Sequence, residues 1–381
     1  MERIYLDHGA TTPMHPLVIE KMTEIMTTVF GNPSSIHQQG RQAHGMLEDA
    51  RSTIAKSLNV NDHELIFTSG GTESDNSAIM QTAHAREAEG KHIITSAVEH
   101  PAVLNTMKEL VNQGFEVTYL PVTEEGELTL ESVSEALRED TILVSLMSIN
   151  NETGVRFPIA DIGQLLANHT AYFHTDAVQA FGLDEIDVKA LGVDFLSATA
   201  HKINGPKGIG FLYIRDGISL PALLHGGEQE EKRRPGTENL AGIQGFATAV
   251  EFLTPVEKAK RLASYEHFGL MVKEALEKAE IPFKINGGQA PKSPHILNLW
   301  LKDIPNDLLL MHLDLQGISL SIGSACTAGN VEPSHVLEAM YGKGHPSTKE
   351  SLRISFGLGN TAEEIELVTE KLIEVVNRLR N

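Results

Sequence analysis

Lys202 stands in Ser197-Ala-Thr-Ala-His-Lys202-Ile-Asn-Gly-Pro-Lys-Gly-Ile-Gly210, after a short apolar run (Val193 to Leu196) and before a glycine-punctuated turn. A lysine at the end of a buried strand loses hydration of its ammonium. Its pKa falls toward the range in which the amine is a nucleophile or a proton shuttle. Upstream, a second apolar run, Ala171 to Phe173, ends in a carboxylate in Phe173-His-Thr-Asp176-Ala-Val-Gln179. Schiff-base chemistry on a pyridine aldehyde needs both groups: a lysine for the aldehyde, and an acid to keep the ring nitrogen protonated. A loop lysine taken alone is ordinarily just solvated. It is the pair that points to this chemistry.

These side chains must be held by elements, and the chain alternates strand and helix signals. A turn-rich start, Tyr5 to Pro13, precedes a helix over 16–30 with Leu17, Val18, Met22, Ile25, Met26 and Val29 at helical spacing. Gly31 to His37 breaks it, and a second amphipathic helix covers 43–58. Glu64-Leu-Ile-Phe-Thr-Ser-Gly-Gly-Thr72 then runs from strand into a double glycine and a polar helix start, which makes Gly71 and Thr72 anion-binding candidates. By itself this is also an ordinary strand-to-helix turn with Thr72 or Ser74 as the cap. His100 lies between another strand signal and the Pro101 that opens a helix. Strands over 116–120 and 141–148 flank a helix over 131–139, and Gly210 to Arg215 reads as the last strand of about seven. Such a mainly parallel α/β sheet places ligands at its carboxyl ends. Beyond Pro255, a helix over 258–278, strands over 295–301 and 351–356 and a closing helix over 362–380 predict a smaller α+β domain. The division expected is 14–255 for the large domain, with 1–13 joined to 256–381 as the smaller one.

Together, His-Thr-Asp-Ala-Val-Gln and Thr-Ala-His-Lys-Ile-Asn-Gly-Pro-Lys-Gly resemble the pyridoxal 5′-phosphate (PLP) signature of the cysteine desulfurases, class V members of the fold-type I PLP-dependent transferases. The resemblance extends from Tyr5 to Arg380. It implies Lys202, Cys326 and His100 as catalytic residues, with His100 stacked on the pyridine ring. It implies Gly71, Thr72, His100, Asn151, Asp176, Gln179, Thr199, His201, Lys202 and Thr237 as cofactor-binding residues, and Asn151 and Arg353 as substrate-binding residues. Ala10 and Thr11 would lie along the entrance. Thr237, in the polar glycine-rich stretch Gly226 to Asn239, would cap the phosphate of a partner subunit, which implies a homodimer. Cys326 is the only cysteine, set among small residues in Gly-Ser-Ala-Cys326-Thr-Ala-Gly and followed by Glu-Pro-Ser-His-Val. A lone cysteine is more often a buried small hydrophobe. The motif assigns it instead as the nucleophile that takes sulfur from L-cysteine as a persulfide, leaving L-alanine, for an iron-sulfur scaffold protein or a tRNA thiolase. Ile322 and Ala328-Gly329-Asn330 depart from the family's serine-rich version of this stretch. A class V aminotransferase or a selenocysteine lyase would share the PLP site without needing the thiol, and a sulfur-binding scaffold of the same fold would need no chemistry.

The remaining composition bounds the partners. A net charge of −20 argues against nucleic acid or an anionic membrane as an obligate ligand, the local run Glu231-Lys-Arg-Arg234 notwithstanding. One cysteine excludes an intramolecular disulfide and a cysteine-rich metal site, and the 17 histidines show no zinc-binding spacing. No apolar run is long enough to span a bilayer, and Met-Glu-Arg-Ile-Tyr-Leu-Asp lacks the features of a signal peptide, so a cytoplasmic protein without metal is expected.

Overall fold

A computed structural model describes residues 3–323 and 333–380. Its main sheet has seven strands in the spatial order Leu65–Thr68, Gly210–Ile214, Phe195–Thr199, Tyr172–Asp176, Thr141–Ser145, His92–Ser96 and Glu116–Leu120. Helices cover both faces, so the central strands Thr141–Ser145, Phe195–Thr199 and Gly210–Ile214 are buried at every position. Their sequences therefore read as continuous apolar or small runs rather than as alternation. The edge strand Glu116–Leu120 leaves four of its five residues exposed or half-buried and ends on buried Leu120.

Gly210–Ile214 runs antiparallel to both neighbours, while the pairings among the other described strands of this sheet are parallel. The register sets Gly210 opposite both Thr68 and Thr199. A Cβ at Gly210 would come within 2.5 Å of the Ala198 carbonyl and 2.7 Å of Gly70 Cα, so only glycine lets the two turns pass. As a result Thr68, Ser145, Asp176 and Thr199, all strand ends, lie along one side of the sheet together with the Gly70-Gly71 turn.

A second core gathers Ile4 and Leu6, the helix Pro255–Lys278, the strands Ile296–Leu301 and Ser351–Ser355, and the helix Ala362–Arg380. Phe283–Ile285, Ile296–Leu301 and Ser351–Ser355 form an antiparallel sheet, and Ile4–Tyr5 pairs in parallel with Ile318–Ser319. The N-terminal segment thereby reaches the far strand: Asp7 bridges to Ser355.

Several expectations are corrected in detail. The strand predicted over 141–148 is Thr141–Ser145; Leu146 and Ser148 still donate to the His174 and Asp176 carbonyls of the neighbouring strand, but the chain then turns at Asn150 so that Ile149 pairs with Arg156. The helix predicted over 131–139 is Leu130–Ala136, capped by Thr129. The helices Ile159–Leu166 and Leu240–Glu251 were not anticipated; the latter packs between the first two helices of the chain, Pro16–Thr28 and Gln38–Ser57.

Candidate active site

A cavity of about 260 Å³ opens at the carboxyl ends of the parallel strands. Its lining includes Gly71, Thr72, His100, Asn151, Asp176, Gln179, Thr199, His201, Lys202 and Arg353, residues that the sequence supplies from six separate stretches. Thr237 is exposed and outside this lining within its own chain, and Cys326 lies outside the described residues.

Lys202 follows the strand Phe195–Thr199 through a single 3-10 turn. Its Nζ donates to the carbonyls of Gly9 and, at 2.8 Å, Ala10, which draws the N-terminal loop over the amine. Burial first, and then the Arg353 guanidinium, lower its pKa to about 7, with Asp7 and Asp176 pulling the other way. The amine is thus poised to be neutral near neutral pH.

Asp176 ends its strand buried, its Oδ1 accepting from the Val178 amide at 2.9 Å. Burial raises its pKa, opposed by His100, the Val178 N–H and Lys202. A cationic ring nitrogen seated beside this carboxylate would reverse the rise, because an opposite charge favours the ionised form. Behind it lies a polar layer: Ser145 Oγ is 2.8 Å from His174 Nδ1, and Ser197 Oγ is 2.9 Å from His174 Nε2. Burial depresses the His174 pKa to about 3, so this imidazole is neutral. Asp75 reaches within 3.6 Å of it, and burial together with the neighbouring Asp176 holds the Asp75 carboxyl well above its ordinary pKa.

His100 caps the helix Pro101–Asn112 by accepting from the Ala102 amide on Nδ1 at 3.1 Å. Burial, and to a lesser degree Lys202 and His335, lower its pKa against the pull of Asp176. In the neutral ring the proton therefore sits on Nε2. Gln179 donates its amide N–H to Gly9 and faces His295 Nε2 at 3.1 Å. Burial keeps His295 neutral, with a pKa of about 3, and its Nδ1 is 2.7 Å from Ser293 Oγ.

Two features suit an anionic cofactor. The helix Gly71–Arg86 starts without a side-chain cap after Gly70 at φ 148°, which leaves the first amides of the helix open at the cavity wall. A Cβ on Gly71 would lie 2.7 Å from a Val178 methyl. In the same lining, buried Arg353 donates to the Asn151 carbonyl at 2.8 Å and to Asp7 at 2.7 Å, while its Nε and the Asn151 Oδ1 have no partner. Unpaired buried polar atoms of this kind are costly unless a ligand completes them. Orphaned Asn151 and Arg353 beside a half-neutral lysine and a buried carboxylate fit a PLP-bound amino acid.

The class V aminotransferase model matches residues 4–368. A putative cysteine desulfurase, IscS 1 of Bacillus subtilis, is 50% identical over 379 residues, which cover 100% of both chains. The chain belongs to the cysteine desulfurases of the class V aminotransferase family. Cysteine desulfurase IscS of Methanosarcina thermophila is 45% identical, with 99% of this chain and 93% of the relative covered. A solved NifS-like protein superposes with a TM-score of 0.92 at 35% identity, covering 99% of this chain and 100% of the other. A structure described as SspA in complex with cysteine gives 0.82 at 36% identity, over 93% and 98% of the two chains. This is a family of PLP-dependent enzymes.

Among the cavity residues that escape the sequence reading, the polar ones are Asp75, Glu152, His335 and, through its carbonyl, Gly9. Asp75 follows the glycine turn in Thr-Glu-Ser-Asp, where polar letters suggest a solvated helix start; the fold buries it instead. His335 and Glu152 stood inside quoted motifs without a role. The basic run also resolves differently from a patch, since Lys232, Arg233 and Arg234 pair with Glu228, Glu231 and Glu73.

Proposed function

We propose that the protein converts L-cysteine to L-alanine with PLP bound in this cavity, and that Cys326 receives the sulfur as a persulfide. The observation that supports it most is the convergence of Lys202, Asp176, Asn151 and Arg353 on one cavity. When bound, PLP supplies an aldehyde carbon and a protonated ring that withdraws electrons from the substrate Cα. Lys202 Nζ, about half neutral at pH 7, would hold that aldehyde and, as a free amine, act as the base at Cα. The Asp176 carboxylate holds the proton on the ring nitrogen. His100 covers the ring and presents Nε2–H. Gly71 and Thr72, with Thr199 and His201, take the phosphate, and Thr237 of a partner subunit completes that set in a homodimer. Gln179, oriented by His295, would bond the phenolic oxygen. Arg353 and Asn151 fix the substrate carboxylate, which orients the Cα–H bond toward Lys202.

The reaction balances without an added oxidant or reductant. The C–S bond of L-cysteine breaks, an S–S bond forms to Cys326, and the proton lost by the Cys326 thiol is made up at Cβ of L-alanine. The persulfide then serves an acceptor protein of iron-sulfur assembly or tRNA thiolation. We also propose two domains, 14–255 and 1–13 with 256–381, each built round one of the two larger cores, with Val336, Leu337 and Met340 of the second docking into the core of the first.

The test is to incubate the PLP-loaded protein with L-cysteine and follow alanine together with the mass of the Cys326 peptide. The expected result is a gain of one sulfur, about 32 Da, removed by dithiothreitol, with both alanine and the mass gain lost in Cys326→Ser. Unimpaired alanine and sulfide release by Cys326→Ser would replace this reading with a lyase that needs no thiol.

A further inference from the structure

Glu152 has no part in the chemistry above, yet it is fully buried in the wall of the same cavity. Its backbone is fixed from both sides. Asn150 Oδ1 accepts from the Glu152 amide at 2.9 Å and the Thr153 amide at 3.0 Å, and Asn298 donates to the Glu152 carbonyl at 3.0 Å. The side chain is thereby aimed, and no lysine or arginine among the described residues forms an ion pair with it.

What the carboxylate meets is more specific. Ser334 donates its hydroxyl to Glu152 Oε2, and the same Ser334 Oγ accepts from the Leu337 amide at 3.1 Å, capping the helix His335–Tyr341. From the other direction comes Gly323, at φ 117°, where a Cβ would stand 3.2 Å from Glu152 Oε2 and 3.3 Å from Ser334 Cβ. Gly323 and Ser334 are the two flanks of the stretch that holds Cys326: Ser334 bonds to Glu152 Oε2, and that same oxygen occupies the space a side chain at Gly323 would need. Each flank is also tied to the site. Ser321 exchanges backbone hydrogen bonds with Arg353 at 3.2 and 2.7 Å, and His335 Nε2 lies 2.9 Å from the Glu99 carbonyl. That contact makes Nε2 the protonated nitrogen of His335.

We infer that Glu152 is a positioning residue for sulfur transfer: by bonding Ser334 and packing close to the side-chain-free Gly323, it fixes the two flanks between which the thiol-bearing stretch runs. The inference rests on Cys326 being the sulfur acceptor. A buried carboxylate without a cation is costly, and simple packing would be served as well by an apolar side chain. The geometry instead uses the acid as a hydrogen-bond acceptor for Ser334. Glutamine keeps an acceptor oxygen at that place and alanine does not.

The experiment measures single-turnover persulfide formation and PLP affinity in the PLP-loaded protein, with Glu152→Ala and Glu152→Gln made in wild-type and Cys326→Ser backgrounds. In the wild-type background Glu152→Ala should slow persulfide formation at least tenfold, with PLP affinity and the half-saturating L-cysteine concentration each within about threefold. Glu152→Gln should recover most of the rate. In the Cys326→Ser background Glu152→Ala should leave L-cysteine binding unchanged, because a residue that acts only through Cys326 has nothing left to position. If Glu152→Ala does not fold, Ser334→Ala removes the same hydrogen bond from the other side and should slow persulfide formation about threefold. Equal losses of L-cysteine binding in both backgrounds, or a wild-type transfer rate in Glu152→Ala, would overturn the inference alone. Full activity in Cys326→Ser would overturn the reading of the thiol and this inference with it.

Discussion

The depressed pKa of Lys202 can be measured directly. With a pKa of about 7, the amine is roughly three-quarters neutral at pH 7.5; at the ordinary 10.5 it would be neutral in about one molecule in a thousand, a difference of ~700-fold. Capture of PLP by apoprotein, fixed with borohydride and located by peptide mass, depends on the neutral amine. Its rate should therefore inflect near pH 7. Arg353→Met removes the second cause of the depression and should move the inflection up by about one unit. Asp7→Asn removes a carboxylate that favours the ammonium and also frees Arg353, its partner at 2.7 Å, so the inflection should move down. Burial is the largest cause, and most of the depression should survive both changes. Stability supplies a second readout. The folded-state pKa lies below the unfolded one, so between about pH 7 and 10.5 the unfolded chain binds more protons and apoprotein stability rises with pH. Lys202→Met should flatten that rise. A wild-type inflection above pH 9, or two variants that shift in the same direction, would refute the electrostatic account.

Asp176→Asn should retain bound PLP but lose most turnover, since an amide cannot hold a ring proton; alanine formation at matched PLP occupancy is the measurement, and near-wild-type rates would exclude the role. Glu99 is buried, with a pKa raised to about 8 by that burial against hydrogen bonds from Ser96 and the Met147 amide. The folded protein therefore holds an extra proton between about pH 4.5 and 8, and stability falls as pH rises through that window; Glu99→Gln should remove this fall, by a few kcal/mol at pH 8 in denaturant titrations. Thr237→Ala and Lys202→Ala subunits, each impaired, should regain about a quarter to a half of the activity when mixed and exchanged, because one hybrid site draws both intact residues. No recovery after verified exchange would mean that Thr237 does not serve a neighbouring site.

Local rules reached far into this fold because strand ends and glycine turns are punctuation that a sequence carries openly. The helix Ala362–Arg380 was legible to the residue, its face of Ile365, Val368, Leu372 and Val376 entering the second core. The helix Leu240–Glu251 was not, since nine of its twelve residues are buried and an all-round apolar helix has no periodic face to reveal it. Cofactor candidates were legible by the same logic. Asp176 and Lys202 end apolar runs, and Gly71 begins a helix, so each is positioned by its own element.

Asp75, Glu152 and His335 required the third dimension. Their neighbours in space come from other strands: Asp75 meets His174 and Ser197 only because Tyr172–Asp176 and Phe195–Thr199 run side by side beneath its helix. A helix carrying polar residues toward a sheet ordinarily signals solvent. Here the sheet answers with polar groups of its own, Ser145, His174 and Ser197, so the polar layer is buried on both sides. Such a layer has an electrostatic consequence at the cavity. Burial raises the cost of charge on Asp176, whose carboxylate in turn helps to hold the Asp75 proton in place, and this makes Asp176 depend on a cationic partner for its ionisation. A protonated pyridine nitrogen is such a partner. The buried layer that hid Asp75 from sequence reading is thus also what would make the hold of Asp176 on the ring proton strong, since each of the two charges is costly there without the other.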